Sequence, residues 1–190
     1  MEGMAEALVI IDVQNDFTAG GALAVPDGDA VIAPLNRLAR RYETVFATRD
    51  WHPPDHHSFD SEGGPWPVHS VQGTEGAELH PDLDRSAIDA VVDKGDRRGV
   101  EGYSAFDGTD FERDLRERGI DSLTIGGLAA DVCVRATALE ARAKGFDVTL
   151  VEDATRGVDV EPGDTNRAFD EMREAGVRFA TADELTQGDP

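Results

Sequence analysis

Three residues that could act together as a nucleophile, a base and a cation follow apolar segments typical of buried strands. Cys133 is the single cysteine of the chain, Asp12 closes the first such segment, and Lys94 follows the third. A carboxylate can take the proton of a thiol, and an ammonium can hold the carboxylate and thiolate charges together. Because ligands bind at the carboxyl ends of strands in open parallel sheets, these side chains are expected to share one rim. The pattern therefore predicts a thiol-based active site.

Each of these residues also has a purely structural interpretation. A lone cysteine is often a small buried hydrophobe, Asp12 could cap a turn (a role that Asp16 fits better), and Lys94 could be a solvated lysine leaving a strand. Cys133 lies in a strand-to-helix turn, where free N–H groups and the helix dipole favour a thiolate and could hold an oxyanion. The occurrence of all three residues at strand ends favours the catalytic interpretation.

A second candidate site lies in a segment from Trp51 to about Pro81 that is rich in Pro, Gly, His and Ser. It contains all five histidines of the chain; four of them, His52, His56, His57 and His69, lie in its first part, and His80 lies at its end. Asp50 and His52 are two residues apart on an extended segment, so both can point the same way, and His69 could supply a third ligand. This set suits zinc, manganese or iron(II), with chance clustering of surface histidines as the alternative. Of the adjacent His56 and His57, we expect one to face the ion.

Strands and helices that would position these residues alternate along the chain. The apolar segments are Ala7–Val13, Thr44–Thr48, Ala90–Val92, Ser122–Ile125, Val148–Val151 and Val177–Ala180. The helix-like segments are Ala30–Tyr42, Asp110–Arg118, Asp131–Lys144 and Asp164–Ala175. This alternation predicts a three-layer α/β/α fold with a six-stranded, mainly parallel sheet. We expect residues 1–190 to form one domain, with the histidine-rich, metal-binding loop at about 50–81.

The composition excludes several classes of partner. With 18 Lys and Arg against 39 Asp and Glu in 190 residues, the net charge is −21, so nucleic acid and anionic membranes would be repelled. No apolar run is long enough for a membrane span and no basic signal-like segment occurs, so we expect a cytoplasmic protein. The acidity resembles that of proteins from salt-accumulating microbes, with an ordinary acidic cytosolic protein as the alternative. The sequence leaves the oligomeric state open, a homo-oligomer included.

The order and spacing of these motifs resemble the nicotinamidase/pyrazinamidase family of the isochorismatase-like cysteine hydrolases. The resemblance extends from about Ala7 to Ala180. It is carried by Asp12-x-Gln14-Asn15-Asp16-Phe17, Arg49-Asp50-Trp51-His52-Pro53-x-x-His56-x-Ser58-Phe59, Gly64-Pro65-Trp66-Pro67-x-His69, Lys94-Gly95, Tyr103-Ser104-x-Phe106 and Asp131-x-Cys133-Val134.

This resemblance implies an amidohydrolase that converts nicotinamide and water into nicotinate and ammonia in NAD salvage, and that would also accept pyrazinamide. It implies Cys133 as nucleophile, Asp12 as general base and acid, and Lys94 as the third member of the triad. One divalent ion is implied on Asp50, His52 and His69, with zinc favoured and manganese or iron as alternatives. His56 matches an additional histidine that some members use as a ligand.

The resemblance also implies a pocket for a small-molecule amide. Phe17, Trp66 and Tyr103 match its aromatic walls. Leu128, and Val132 beside the nucleophile, are further candidate substrate-binding residues. The Leu128–Ala129 peptide matches a cis bond that aims the Ala129 N–H, with that of Cys133, into an oxyanion hole. The alternatives are another hydrolase of the superfamily, acting on a carbamoyl amine, a ureide or an isochorismate-like enol ether, and an inactive ligand-binding member.

Overall fold

The computed structural model describes residues 5–187, and its centre is a six-stranded sheet. The strands are β1 (Ala5–Ile11), β2 (Val45–Asp50), β3 (Ala90–Lys94), β4 (Ile120–Leu128), β5 (Asp147–Arg156) and β6 (Arg178–Ala180). Their order is β3-β2-β1-β4-β5-β6, and every neighbouring pair is parallel. The predicted α/β class and six-stranded sheet are confirmed.

Helices cover both faces of this sheet. They are α1 (Ile32–Ala39), α2 (Phe111–Glu117), α3 (Arg135–Ala143), α4 (Asp164–Glu174) and α5 (Ala182–Gln187). Side chains of α2, α3 and α4 pack in one hydrophobic core, and those of α1 and α5 pack in the other. Alternate residues of β1 enter the two cores, with Val9 in the first and Ile10 in the second. The result is the predicted three-layer arrangement.

The structure differs from the predicted elements mainly at their ends. The predicted helix over Asp131–Lys144 is divided into a π-helical turn, Ala130–Val134, and the regular helix α3. The Val134 N–H donates to the Ala129 carbonyl five residues earlier, at 3.1 Å, which widens this first turn. Helix α5 was not predicted. No helix within residues 5–187 has the length and apolar character needed to cross a membrane. The single-domain organisation stays a prediction.

The strand order creates a crevice between the carboxyl ends of β1 and β4. Successive strands run outward to opposite sides from this point, which is where open parallel sheets bind their ligands. Gly127 allows the two strands to approach each other closely here. Its φ is +125°, and a Cβ at this position would lie 2.2 Å from the Ile11 carbonyl oxygen. The residues that follow β1 and β4 therefore face each other across the crevice.

The long segment after β2 folds back on itself beside the same crevice. The His52 N–H donates to the Ser70 carbonyl at 2.9 Å, and the Gln72 N–H donates to the His52 carbonyl at 2.8 Å. This pairing places the chain around residue 70 next to His52. It explains how histidines separated by 17 positions in the sequence become neighbours.

Candidate active site

A buried lysine lies at the centre of the crevice and brings the predicted catalytic residues together. The Lys94 ammonium nitrogen is 2.8 Å from Asp12 Oδ2, 2.5 Å from Asp50 Oδ1 and 3.4 Å from Cys133 Sγ. It also donates to the Gly102 carbonyl at 2.8 Å. Asp12 follows β1, Asp50 ends β2, Lys94 ends β3 and Cys133 lies in the turn after β4. The strand-end reasoning applied to the sequence thus placed Asp12, Lys94 and Cys133 correctly.

Asp12 is oriented so that one carboxylate oxygen is held and the other stays available. Oδ1 accepts a hydrogen bond of 2.7 Å from Thr48 Oγ1. Oδ2 faces the Lys94 ammonium as an ion pair and has no other hydrogen-bond partner among the described residues. Asp12 and Cys133 each offer an atom to a group whose atoms lie within 4.8 Å of one another. Oδ2 is therefore the oxygen suited to receive the thiol proton.

The pKa values of this pair favour a protonated thiol in the resting enzyme. Burial raises the pKa of Cys133 well above its ordinary value; the Lys94 ammonium opposes this shift, whereas Asp12 and Asp50 add to it. The expectation that the helix start would favour a resting thiolate is therefore wrong. Burial also raises the pKa of Asp12, and the Lys94 ammonium offsets this only in part. A carboxylate with a raised pKa is a better proton acceptor for the thiol.

Lys94 and Asp50 keep their charges although both are buried. Burial alone would lower the pKa of Lys94, but the carboxylates of Asp12 and Asp50 hold it well above the ordinary value. Burial alone would raise the pKa of Asp50, but the Lys94 ammonium and the neighbouring imidazoles of His52 and His69 hold it well below. Asp50 therefore presents a permanent carboxylate that links the lysine to the two histidines.

Asp50, His52 and His69 form a ligand set that fits one divalent metal ion. Asp50 Oδ2 is 3.4 Å from His52 Nε2 and 3.7 Å from His69 Nε2, and all three side chains are buried. The Nδ1–H of His52 donates to the Gly95 carbonyl at 2.8 Å, and that of His69 donates to the Pro67 carbonyl at 2.7 Å. Each Nε2 lone pair is therefore left for a metal, an arrangement typical of metal-binding histidines. This oxygen and nitrogen donor set suits zinc, manganese or iron(II).

His56, the candidate for an additional ligand, is engaged elsewhere. Its Nδ1 lies 2.7 Å from Ser58 Oγ and its Nε2 lies 2.8 Å from the Val100 carbonyl. Its ring stacks on that of His52 with centroids 3.9 Å apart. Because both ring nitrogens already have partners, the structure does not support His56 as a metal ligand. The His56 ring instead packs against the ring of His52. His57 Nδ1 bonds to the Arg98 carbonyl at the surface.

A small cavity opens above Cys133. Its lining contains Asp12, Asp50, His69 and Cys133, the predicted residues Phe17, Trp66, Tyr103, Ala129 and Val132, and two further side chains, Leu23 and Val158. The Trp66 indole N–H donates to the Tyr103 hydroxyl at 2.8 Å, which ties two of the aromatic walls together. The Leu128–Ala129 peptide is cis, as predicted.

Leu128 does not line this cavity, so its assignment as a substrate-binding residue is wrong. Its side chain is fully buried and packs in the core beneath α1, because residues of β4 alternate between the two faces of the sheet. Leu23 and Val158 were missed. The strand-end rule could have identified Val158, which follows β5, whereas Leu23 lies in a glycine-rich segment without a distinctive signal.

Gln14 has a function in the site that its place in the sequence motif did not reveal. Its side-chain amide is fully buried and holds the main chain of Asp50 from both sides. Oε1 accepts from the Asp50 N–H at 2.9 Å, and Nε2 donates to the Asp50 carbonyl at 2.9 Å and to the Ala77 carbonyl at 2.9 Å. Gln14 thus fixes the metal-ligating end of β2 against the returning loop.

Comparison with known proteins agrees with this site. The family model described as "Isochorismatase domain" matches residues 6–184. The chain is 44% identical to a nicotinamidase from Escherichia coli over 96% of this chain and 98% of that protein. The solved structure of an Acinetobacter baumanii nicotinamidase/pyrazinamidase has a TM-score of 0.92 at 37% identity, covering 97% of this chain and all of that one.

A pyrazinamidase from Pyrococcus horikoshii, solved in complex with zinc, has a TM-score of 0.86 at 44% identity and covers 93% of this chain and 99% of that one. Both the sequence relatives and the solved structures therefore match nearly the whole chain, including the strand ends and turns that form the crevice. The chain belongs to the isochorismatase family and, within it, to the nicotinamidase/pyrazinamidase group.

Proposed function

We propose that this protein hydrolyses nicotinamide to nicotinate and ammonia through a thioester on Cys133, as a step in NAD salvage. The observation that carries this proposal is the contact of one buried ammonium, that of Lys94, with Asp12, Asp50 and Cys133. This contact links a nucleophile, its proton acceptor and a metal-ligand set within one cavity. The 44% identity to a nicotinamidase supports the choice of substrate.

In the first half of the reaction, Asp12 accepts the proton of the Cys133 thiol as the sulfur attacks the carboxamide carbon. The protonated carboxyl then gives this proton to the departing amine, so that ammonia leaves and a thioester remains. Lys94 stays an ammonium throughout and stabilises whichever of the two groups is negatively charged. The residues Ala129 and Cys133 both line the cavity, and we propose that their backbone N–H groups stabilise the oxyanion.

In the second half, water cleaves the thioester. Asp12, again ionised after ammonia has left, takes one proton from the attacking water and returns it to the sulfur, and the nicotinic acid that forms releases the second proton to solvent to give nicotinate. One carboxylate therefore acts in turn as base and acid. The raised pKa of Asp12 suits both proton transfers, because it brings the pKa of this carboxyl closer to the pKa values of the groups that give it a proton or take one from it.

Asp50, His52 and His69 would hold the divalent ion, which we propose to be zinc. When bound, this ion supplies a Lewis-acidic site for the ring nitrogen of the substrate. Phe17, Trp66 and Tyr103 provide aromatic surface for stacking on a pyridine or pyrazine ring, so pyrazinamide is proposed as a second substrate.

Ammonia release from a panel of amides tests this function. We expect turnover of nicotinamide and pyrazinamide, and little turnover of carbamoyl amines or ureides. Cys133→Ala should lower turnover by about 10³-fold or more, as loss of a catalytic nucleophile does, and should leave the circular dichroism spectrum unchanged. Preferred turnover of a carbamoyl amine, or an active Cys133→Ala variant, would contradict the proposal.

A further inference from the structure

We infer that Asp131 is a positioning residue that sets the width of the substrate pocket by fixing Val158 above the nucleophile. The inference rests on the proposed amide hydrolysis and extends it to the choice among ring-substituted amides. Asp131 itself does not line the cavity, whereas Val158 does. Asp131 therefore acts on the substrate through another side chain.

The carboxylate of Asp131 binds two consecutive backbone amides of the loop that follows β5. Oδ1 accepts from the Val158 N–H at 2.9 Å, and Oδ2 accepts from the Asp159 N–H at 2.8 Å. Hydrogen bonds to an ionised acceptor are stronger than neutral ones, and two in parallel also fix orientation. Since Asp131 lies two residues before Cys133 in the π-helical turn, this clamp joins the pocket wall directly to the nucleophile's own turn.

The far side of the same loop is tied to helix α4. Asp159 has a φ of +51°, and its Oδ1 accepts from the Thr165 N–H at 2.8 Å. Val160, the next residue, is 66% exposed, so the loop is held by these polar contacts and not by burial of its tip. Close packing reinforces the arrangement, since a Cβ on Gly157 would lie 1.8 Å from Thr165 Oγ1. The position of Val158 thus depends on the Asp131 clamp.

This arrangement determines how much room a ring has on the Val158 side of the cavity. If the clamp is weakened, the wall can move outward while Cys133, Asp12 and Lys94 keep their contacts. Unsubstituted nicotinamide would then be held less tightly, and a ring carrying an extra methyl group would gain space. The expected signature is therefore a change in KM and in selectivity, with kcat largely preserved.

A double-mutant cycle on Asp131 and Val158 tests this. In Asp131→Asn the side-chain NH₂ faces a backbone N–H, so one hydrogen bond is lost. We expect KM for nicotinamide to rise about 5- to 20-fold, with kcat changed less than 3-fold. The ratio of kcat/KM for ring-methylated nicotinamides to that for nicotinamide should rise at least 5-fold. Val158→Ala should shift this ratio in the same direction, and the double variant should shift it little further.

Asp153→Asn is the matched control, because Asp153 Oδ1 also accepts a backbone N–H, that of Ala182 at 2.7 Å, away from the cavity. It should leave KM and selectivity unchanged. Val158→Ala changes the pocket wall and leaves the Asp131 hydrogen bonds intact, so unchanged selectivity in this variant would overturn the inference. Additive effects of the two substitutions in the double variant would also overturn it. A wild-type chain without turnover of any amide would overturn the proposed function and this inference with it, whereas active variants with wild-type selectivity would overturn the inference alone.

Discussion

At the scale of single residues, the site depends on one ammonium shared by several acidic groups. Lys94 and Asp12 are fully buried, and Asp50 is buried apart from a small exposed fraction. A buried charge without a partner costs several kcal/mol, so these three residues stabilise one another's charged forms. Burial, together with the charges of Asp12 and Asp50, keeps the Cys133 thiol protonated until Asp12 receives its proton, which couples the two groups in every catalytic cycle.

The pH dependence of activity should report the raised pKa of Asp12. Asp12 must be ionised to accept the thiol proton, so kcat/KM should fall as the pH drops through its pKa in the free enzyme. Because burial raises that pKa, the acidic limb should lie above about 4, the ordinary value for an aspartate. Lys94 should add no basic limb near neutrality, since its pKa is raised.

Steady-state kinetics from pH 4 to 9, with bound metal measured at each pH, separate protonation of Asp12 from loss of the ion. Activity that stays constant down to pH 4 at constant metal content would contradict the assignment of Asp12 as the base.

Gln14 should control metal affinity without touching the ion. Gln14→Met keeps the approximate side-chain volume but leaves the Asp50 N–H and the carbonyls of Asp50 and Ala77 without their partners. Loss of such outer contacts typically costs about 10- to 100-fold in metal affinity. We expect a shift of this size for zinc in competition with a chromogenic chelator.

Asn36→Leu provides the control for Gln14→Met. The Asn36 amide also bonds two backbone groups, the Asp82 carbonyl and the Asp84 N–H, outside the cavity. Its loss should lower the melting temperature and leave zinc affinity within 2-fold of wild type. Equal effects of both substitutions on zinc affinity would refute the positioning role of Gln14.

At the scale of elements, the strand ends were predictable and the turns between them were not. Asp12, Lys94 and Cys133 follow apolar runs whose parallel arrangement requires a common rim. The direction of the Leu128 side chain and the contacts of His56 depend on register and on distant backbone groups, which no local pattern encodes. The same holds for the raised pKa of Cys133, because burial and neighbouring carboxylates outweigh the helix start.

The turn after β3 should hold His52 in place through Gly95. Gly95 has a φ of +61°, and a Cβ there would lie 2.5 Å from His52 Cε1 and 2.7 Å from its Nδ1. Gly95→Ala should displace the imidazole and lower zinc affinity by at least about 10-fold, as disruption of a ligand's supporting contact does. Isothermal titration of the metal-free protein with zinc measures this change.

Gly99→Ala is the matched control in the same loop, because a Cβ at Gly99 would meet nothing within 4 Å. It should bind zinc as the wild type does. Wild-type affinity in Gly95→Ala would show that the close approach to His52 is unimportant for the ligand set.

At the scale of the whole molecule, the net charge of −21 dominates the electrostatics. Repulsion among surface carboxylates opposes the compact state, and its range falls as salt shortens the Debye length to about 10 Å at 0.1 M. We propose that the protein is adapted to high salt. Surface ion pairs such as those of Arg113 with Asp110 and Asp114 offset this repulsion only weakly, because exposed pairs contribute little.

Thermal unfolding should therefore depend on salt. Raising KCl from a few millimolar to above 1 M should increase the melting temperature by several degrees, since 1 kcal/mol of stability corresponds to about 2–4 °C for a chain of this size. NaCl should act equally, because screening does not distinguish the two cations. Full stability and activity without added salt would contradict adaptation to high salt.

Trapping of the acyl group most directly tests the covalent route through the buried sulfur. Hydroxylamine added during turnover should intercept the thioester, so that nicotinohydroxamate replaces part of the nicotinate while ammonia is released at the usual rate. Cys133→Ala should form neither product. If nicotinate remains the sole product at saturating hydroxylamine, water attacks the amide directly and the nucleophilic role of Cys133 is wrong.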